Sequence, residues 1–257
     1  EEFNFEDPDG GKIIFWPHIP CLRMPSKLRS HSNFDGVAFL NSSLDLKSWI
    51  ADAEQEKNSP GIHRDSAIAS GTLFGRLMSD LNELDVDGPM IPDPEQMRLL
   101  LHAQNSRGGM PVYAIEPELE DEEWVDWQIS SADQQVTYLN LMLTLTTGRR
   151  WKKQRKHAIT LVPSSKHVNA DLGAAAASAM TWWFEEQRGL SDELIALRDA
   201  RFVSRIRGAL RDLHNSRVDD TKAQETTLLV PIHQARLPSI KKAISSCMDV
   251  ELITQED

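Results

Sequence analysis

Short apolar runs alternate along this chain with longer segments of helical spacing, and this alternation constrains the fold more than any other feature. Gly, Pro, Asn and Ser bound the runs, which is typical of buried strands. They read KIIFW at 12–16, GVAFL at 36–40, MPVYAI at 110–115 and TLLVPI at 227–232. Strands that alternate with helices predict an α/β fold, with a mostly parallel central sheet and helices on both faces.

The helical segments begin at recognisable capping residues. Asp65, Asp93 and Ser191 are predicted N-caps, because their side-chain oxygens can accept hydrogen bonds from the first free N–H groups of a helix. The predicted helices cover 44–57, 65–84, 94–107, a stretch that opens with the acidic segment 116–126 and runs to about 147, then 168–188, 191–214 and 237–246. A last strand is predicted at 250–253. We expect one domain, 1–257, with a mainly helical insertion at about 118–215.

The composition excludes some classes of protein. A formal net charge of −11 over 257 residues argues against general nucleic-acid binding, which needs a basic face to neutralise phosphates. The only cysteines, Cys21 and Cys247, lie far apart in sequence, which favours a reducing, cytoplasmic location. No uninterrupted apolar run approaches eighteen residues, so we expect no membrane span. The acidic first residues are unlike a secretory signal, although removal of an upstream segment stays open.

Polar residues follow the predicted strands at the points where the strands end. His18, Asn41, Glu116 and His233 occupy these positions. Because open parallel sheets bind ligands beyond the carboxyl ends of their strands, these side chains are predicted to converge on one rim. Either histidine taken alone is also consistent with a structural residue in the core or in a loop.

Four segments resemble a superfamily that groups TraB/GumN-type proteins, the haem-binding lipoprotein ChaN and erythromycin esterase. Members have two strands that end in Gly-x-x-His and a helix with an Arg-Asp/Asn-x-x-Met-Ala-x-x-Leu pattern. The corresponding segments here are FWPH at 15–18, RDARFVSRI at 198–206, VPIH at 230–233 and the ending LPSIKKAISSCMDVELI at 237–253. The resemblance implies the same α/β fold.

The chain departs from this pattern at the positions closest to the expected site. Phe15 and Val230 replace the two glycines, and Asn41 stands where the family has a glutamate. Glycine lets a backbone approach a ligand closely, and an amide cannot act as a general base. The resemblance therefore supports the fold more than the activity.

Three functional hypotheses follow from these residues. In a divergent hydrolase, His18 and His233 would be acid/base groups or metal ligands, Glu116 the carboxylate and Arg198 an anion clamp. In a degenerate binding or scaffold module, the histidines and Arg198 would hold a small ligand, with Asn41 and Asp199 as further binding residues. In the third hypothesis the histidines are structural, and Arg198 and Asp199 form ion pairs. The sequence leaves the cofactor and the metal unknown.

Two further features bear on a partner surface. The basic segment RRWKKQRKH at 149–157 is predicted to be exposed and poorly packed, and either it or the acidic segment 116–126 would face a protein partner. Trp182, Trp183 and Phe184 are consecutive in a predicted helix, so at least one of the three must face outward.

Overall fold

The protein is an α/β structure built on a five-stranded sheet. The computed structural model describes residues 1–30, 32–137, 145–162, 167–216 and 226–255. The strands are β1 (Phe3–Glu6), β2 (Lys12–His18), β3 (Gly36–Phe39), β4 (Val112–Ala114) and β5 (Thr227–His233). The helices are α1 (Ser43–Asn58), α2 (Ile62–Ala69), α3 (Leu73–Asn82), α4 (Pro94–Asn105), α5 (Glu122–Gln135), α6 (Thr147–Leu161), α7 (Ala170–Glu186), α8 (Asp192–Ser216) and α9 (Leu237–Ser246).

The sheet has the strand order β1-β2-β5-β3-β4 and is mostly parallel. Among the strands of the described residues, β1 alone runs antiparallel, paired with β2, and the other neighbouring strands are parallel. The late strand β5 therefore lies between β2 and β3. The last residues of β2, β3, β4 and β5 all lie at one edge of the sheet, which we call the carboxyl edge. The α/β class and the four predicted strands are confirmed, whereas β1 was not predicted.

Successive strand residues enter two separate core clusters, as the pleat of a strand requires. The first cluster holds Ile14, Trp16 and Leu229 and includes residues of α3, α4 and α7. The second holds Ile13, Phe15, Leu228 and Val230 and includes residues of α5, α8 and α9. The helices α5, α6, α7 and α8 stand between β4 and β5 in the chain, over the range of the predicted helical insertion.

The helix predicted at 65–84 is two helices, α2 and α3, with a sharp corner between them. Asp65 lies in the first turn of α2 and is not its N-cap. Thr72 caps α3 instead, since its Oγ1 accepts a hydrogen bond from the backbone N of Gly75 at 3.0 Å. A Cβ at Gly75 would lie 2.1 Å from the carbonyl oxygen of Ala67, so the corner requires glycine there.

The strand predicted at 250–253 is wrong, because this segment packs on α8 and does not join the sheet. The backbone N of Glu251 donates to the Ser204 carbonyl at 3.0 Å. The Glu251 carboxylate forms ion pairs with Arg201 and Arg205, at 2.5 and 2.7 Å. These contacts give the polar groups of the segment partners on the surface of α8. The alternation of residues that is typical of a strand does not encode such contacts.

The basic segment 149–157 is helical, exposed on one side as predicted and packed on the other, so only the prediction of poor packing is wrong. Trp151 is buried, and its Nε1 donates to Asp80 Oδ2 at 2.9 Å. Arg150 forms an ion pair with the buried Glu185 at 2.9 Å. Lys152, Lys153 and Lys156 are exposed on the other side of α6. The predicted helix up to residue 147 ends earlier, at the end of α5, and residues 138–144 lie outside the described residues.

No helix in the described part of the chain is both long enough and apolar enough to cross a membrane.

Candidate functional site

Two histidines end neighbouring strands at the carboxyl edge and form what we call the histidine pair. His18 is the last residue of β2, His233 is the last residue of β5, and the two are direct partners in the parallel ladder. Paired residues of adjacent strands project their side chains to the same face of a sheet, with backbones about 4.8 Å apart. The sequence placed both histidines at strand ends, and the strand order makes them neighbours.

His18 is held between an aromatic ring and a capping carboxylate. Its ring stacks on Trp16, with centroids 5.5 Å apart. Its Nδ1 lies 3.7 Å from Asp93 Oδ2. Asp93 is the predicted N-cap of α4, and it also accepts a hydrogen bond from the backbone N of Cys21 at 2.7 Å. His18 is 1% exposed, and among the described residues its Nε2 has no hydrogen-bond partner.

His233 is fixed as a neutral ring. Its Nδ1 accepts a hydrogen bond from the backbone N of Ala235 at 3.0 Å. Burial of the ring lowers the pKa of His233 to about 3, and electrostatic interactions with His18 and Arg236 act in the same direction. The backbone of Ala179 acts in the opposite direction and raises the pKa of His233. This contact falls outside hydrogen-bond geometry, so within the described part of the chain Nε2 has no hydrogen-bond partner. Because Nδ1 accepts, the neutral ring carries its proton on Nε2.

Two adjacent tryptophans of α7 enclose the His233 ring. Trp183 stacks on it at a centroid distance of 5.6 Å, and Trp182 meets it edge-on at 5.7 Å. Phe184, the third aromatic residue in the series, is 38% exposed, in line with the expectation that one of the three faces outward.

A second group at this edge, which we call the arginine cluster, consists of Arg198, Asp199 and Arg236. Nε and Nη2 of Arg198 both lie 3.0 Å from Asp199 Oδ1. Arg236 approaches the same oxygen, with its Nη2 at 3.6 Å. Both guanidinium groups lie over the Trp183 ring, at 5.3 and 5.7 Å from its centroid. The ring contacts of Trp183 thus join the arginine cluster to the histidine pair.

Arg236 is the site residue that the sequence analysis missed. It follows β5 by three residues, and its backbone N donates to the His233 carbonyl at 2.9 Å. This short turn brings the arginine back over the strand end. The signal available in the sequence was an arginine three residues after His233. An exposed arginine would give the same signal, so the sequence did not identify Arg236 as a site residue. Only the packing of Arg236 against Trp183 and Phe202 distinguishes it.

Glu116 and Asn41 form a third group, beyond β4 and β3. The backbone N of Glu116 donates to the Asn41 carbonyl at 3.2 Å, and the Asn41 amide reaches Asp45 Oδ2 at 3.5 Å. Burial raises the pKa of Glu116, and the Asp45 carboxylate adds to this effect. The positive charge of Arg236 opposes the shift, so Glu116 is close enough to the arginine cluster to interact electrostatically with it.

The six residues predicted from the sequence therefore form three pairs. His18 lies beside His233, Arg198 beside Asp199, and Asn41 beside Glu116, as described above. Arg236 links these pairs, because its charge influences the pKa values of both His233 and Glu116 and its side chain approaches Asp199.

Metal binding by the histidine pair stays a prediction. Over the described ranges, no group of three or more His, Cys, Asp or Glu residues is arranged to hold a metal ion. A histidine pair supplies two of the four ligands typical of zinc. A metal bound there would take its remaining ligands from other groups or from solvent.

A surface groove borders the arginine cluster. It has a volume of about 510 Å³ and lies between α5, α8 and the segment that follows α9. Its wall includes Trp124, Trp127, Leu197, Arg198, Arg201 and Glu251. Arg198 belongs both to this wall and to the cluster, whereas Asp199 and Arg236 do not line the groove.

Comparisons of this chain with protein-family models, with curated proteins and with solved structures found no match. The function is therefore inferred from the geometry of the site.

Proposed function

We propose that this protein is a binding module that holds a small ligand at the carboxyl edge of its sheet, as a catalytically degenerate relative of the TraB/GumN, ChaN and erythromycin-esterase-like superfamily. The observation that carries the proposal is the histidine pair. The buried His18 and the half-buried His233 are partners in the β2–β5 ladder, and in the described structure the Nε2 atom of each is buried without a hydrogen-bond partner. Buried polar atoms of this kind normally have partners, and a ligand can provide them.

The protonation state of His233 supports binding over catalysis. A group whose pKa is lowered to about 3 is a weak base near neutral pH and holds no extra proton to donate as an acid. Asn41 stands where the family has a glutamate and lacks an ionisable group. These two residues favour a site that recognises a ligand without transforming it.

A divergent hydrolase is the second candidate, and Glu116 is the residue that favours it. Burial and the neighbouring Asp45 raise the pKa of this carboxyl group, which lies within electrostatic reach of Arg236. A carboxyl group with a raised pKa can act as a general acid when its proton is within reach of the substrate. In this candidate, Arg198 would stabilise developing negative charge, and the histidine pair would bind substrate or metal.

A partner surface is the second part of the proposal. The exposed lysines of α6, Lys152, Lys153 and Lys156, form a basic face that fits an acidic protein surface. The division of strand residues between two core clusters supports a sheet covered by helices on both faces. The free thiols Cys21 and Cys247 support a reducing, cytoplasmic location.

A ligand screen by thermal unfolding tests the proposed function. Zn²⁺ and small neutral and charged compounds would be added to the wild-type chain, to His18→Ala and to a matched exposed variant, His157→Ala. We expect at least one probe to raise the unfolding midpoint of the wild type and of His157→Ala, but not of His18→Ala. Hydrolysis of ester or amide probes that is lost in Glu116→Gln would favour the hydrolase instead. A screen in which no probe distinguishes wild type from His18→Ala would refute the site.

A further inference from the structure

One edge of the Arg236 guanidinium is buried without a hydrogen-bonded partner. The Arg236 side chain is 9% exposed. Its Nε and Nη2, the two nitrogens of the edge that binds carboxylates bidentately, have no hydrogen-bond partner among the residues described. The Asp199 Oδ1 atom lies 3.6 Å from Nη2, too far for a hydrogen bond.

Arg207 shows how the same protein treats another buried arginine. The side chains of Arg207 and Asp7 are 2% and 3% exposed. The corresponding edge of Arg207 is fully paired, since Nε donates to Asp7 Oδ2 at 2.6 Å and Nη2 donates to Asp7 Oδ1 at 3.1 Å. Burial of a charge is strongly unfavourable unless it is paired, and Arg207 follows that rule. Arg236 thus lacks the two-point contact with a carboxylate that Arg207 has, and its ion pair with Asp199 is longer.

The charges near Arg236 favour an added anion. Two guanidinium groups approach the same carboxylate oxygen, Asp199 Oδ1, whereas Asp199 Oδ2 has no hydrogen-bond partner among the described residues. Burial lowers the pKa of Arg236 to about 9, and the charge of Arg198 is the next cause. The Glu116 carboxyl group acts on the pKa of Arg236 in the opposite direction and raises it. The ion-paired group of Arg198, Asp199 and Arg236 contains two cations and one carboxylate.

Packing fixes the direction of the open edge. The Arg236 guanidinium lies over Phe202 at 4.3 Å and over Trp183 at 5.7 Å from the ring centroids. Such contacts hold the group in place and reduce the entropy lost on binding. Arg236 is also the N-cap residue of the ten-residue α9 and makes no side-chain capping bond, so the positive end of the helix dipole adds to the potential there.

We propose that Arg236 binds the oxyanion of a small molecule, a carboxylate or phosphate group, through its Nε–Nη2 edge beside Arg198. This inference rests on the proposed function, because it assigns a ligand class to the same carboxyl edge. Both groups present two oxygens at the spacing of a guanidinium edge. Arg198 also lines the surface groove, so we expect the anion to approach the cluster from that side.

The test uses inorganic phosphate and acetate as probes, with sodium chloride at matched ionic strength as the reference. Unfolding midpoints and calorimetric affinities would be measured for wild type, Arg236→Met, Arg236→Lys and the exposed control Arg23→Met. We expect stabilisation of wild type and Arg23→Met that grows with concentration by mass action, and none for Arg236→Met. Arg236→Lys should bind about tenfold more weakly, since it keeps the charge but loses the two-point contact.

The two probes identify the source of the anion. Stabilisation by phosphate alone supports a phosphate-bearing ligand, and stabilisation by acetate alone supports a carboxylate. Equal stabilisation of wild type and Arg236→Met, or an absence of stabilisation by both anions, overturns the proposal. If Arg236→Met fails to fold, the comparison of wild type with Arg236→Lys decides, and unchanged affinity in that variant overturns the proposal.

Failure of this inference is distinguishable from failure of the proposed function. If neither anion binds but Zn²⁺ or a neutral compound stabilises wild type and not His18→Ala, the site stands and the oxyanion assignment falls. If neither His18→Ala nor Arg236→Met changes the response to any probe, both the oxyanion assignment and the proposed function are refuted.

Discussion

His18 and His233 come from opposite ends of the chain, yet they are direct partners in the parallel ladder between β2 and β5. Each is the last residue of its strand, and the electrostatic interaction with His18 is one of the causes that lower the pKa of His233. The two rings therefore interact energetically, and mutations at one site should change the effect of mutations at the other.

A double-mutant cycle measures that interaction. We expect the stability losses of His18→Ala and His233→Ala to deviate from additivity by about 0.5–3 kcal/mol, as is typical of residues in contact. The free energy of unfolding would be obtained by urea denaturation of the wild type, both single variants and the double variant. A cycle of His18→Ala with the exposed His157→Ala is the control and should be additive. Additivity in the first cycle would assign the two histidines to independent structural roles.

Acid should destabilise the protein partly through His233. Its folded pKa of about 3 lies below the ordinary value of 6.5, so the unfolded chain binds the proton more readily between these two values. The free energy of unfolding therefore falls as the pH falls through that window, by up to about 1.4 kcal/mol per pH unit from this group. The loss is complete below the folded pKa and absent above the unfolded one.

The variant that isolates this effect is His233→Asn, whose side-chain oxygen can still accept from the backbone N of Ala235. We expect the loss of stability between pH 7 and pH 5 to be smaller in His233→Asn than in the wild type. Urea denaturation at both pH values measures the difference. An identical loss in the two proteins would mean that the ring of His233 titrates normally.

Two helical glycines should respond to alanine with opposite signs. In α8, a Cβ at Gly208 would lie 1.7 Å from the carbonyl oxygen of Glu251, so Gly208→Ala must displace the segment that follows α9. In α7, the nearest atom to a Cβ at Gly173 is Val168 Cγ1 at 3.9 Å. Gly173→Ala should therefore stabilise the protein by about 0.5–1 kcal/mol through helix propensity alone.

The predicted loss in Gly208→Ala has a local signature as well as a lower free energy of unfolding. Because Glu251 is tied to Ser204, Arg201 and Arg205 on α8, its displacement should expose the C-terminal segment to limited proteolysis. Gly173→Ala should keep the wild-type cleavage rate. A stabilised Gly208→Ala variant with unchanged proteolysis would contradict the packing of this segment on α8.

The two sides of α6 should differ in their sensitivity to mutation. Trp151→Ala removes a buried ring and its hydrogen bond to Asp80, and should reduce stability by about 3–5 kcal/mol. Charge reversal at the exposed Lys152 and Lys153 should change stability by less than about 0.5 kcal/mol. Chemical denaturation measures both effects. A large loss on charge reversal would mean that the exposed side of α6 is also packed.

Much of the secondary structure follows from the sequence because its signals are local. The pleated alternation of β2 and β5 and the caps Asp93 and Ser191 depend on residues within a few positions of one another. The same signals predicted the α/β class and located both histidines at strand ends. They misjudged the corner at Gly75, where the cause is the close approach of another helix.

Only the tertiary structure determined which strand ends lie next to each other. The chain enters β5 last but inserts it between β2 and β3, because a central strand buries both of its faces and pairs along both of its edges. That insertion sets His233 beside His18 and folds Arg236 back over Trp183. Arg236 belongs to the site because of the residues that it contacts, and these lie on two other helices. No periodicity in its own segment encodes those contacts. The sequence therefore determined the elements and their ends, while long-range packing determined the site.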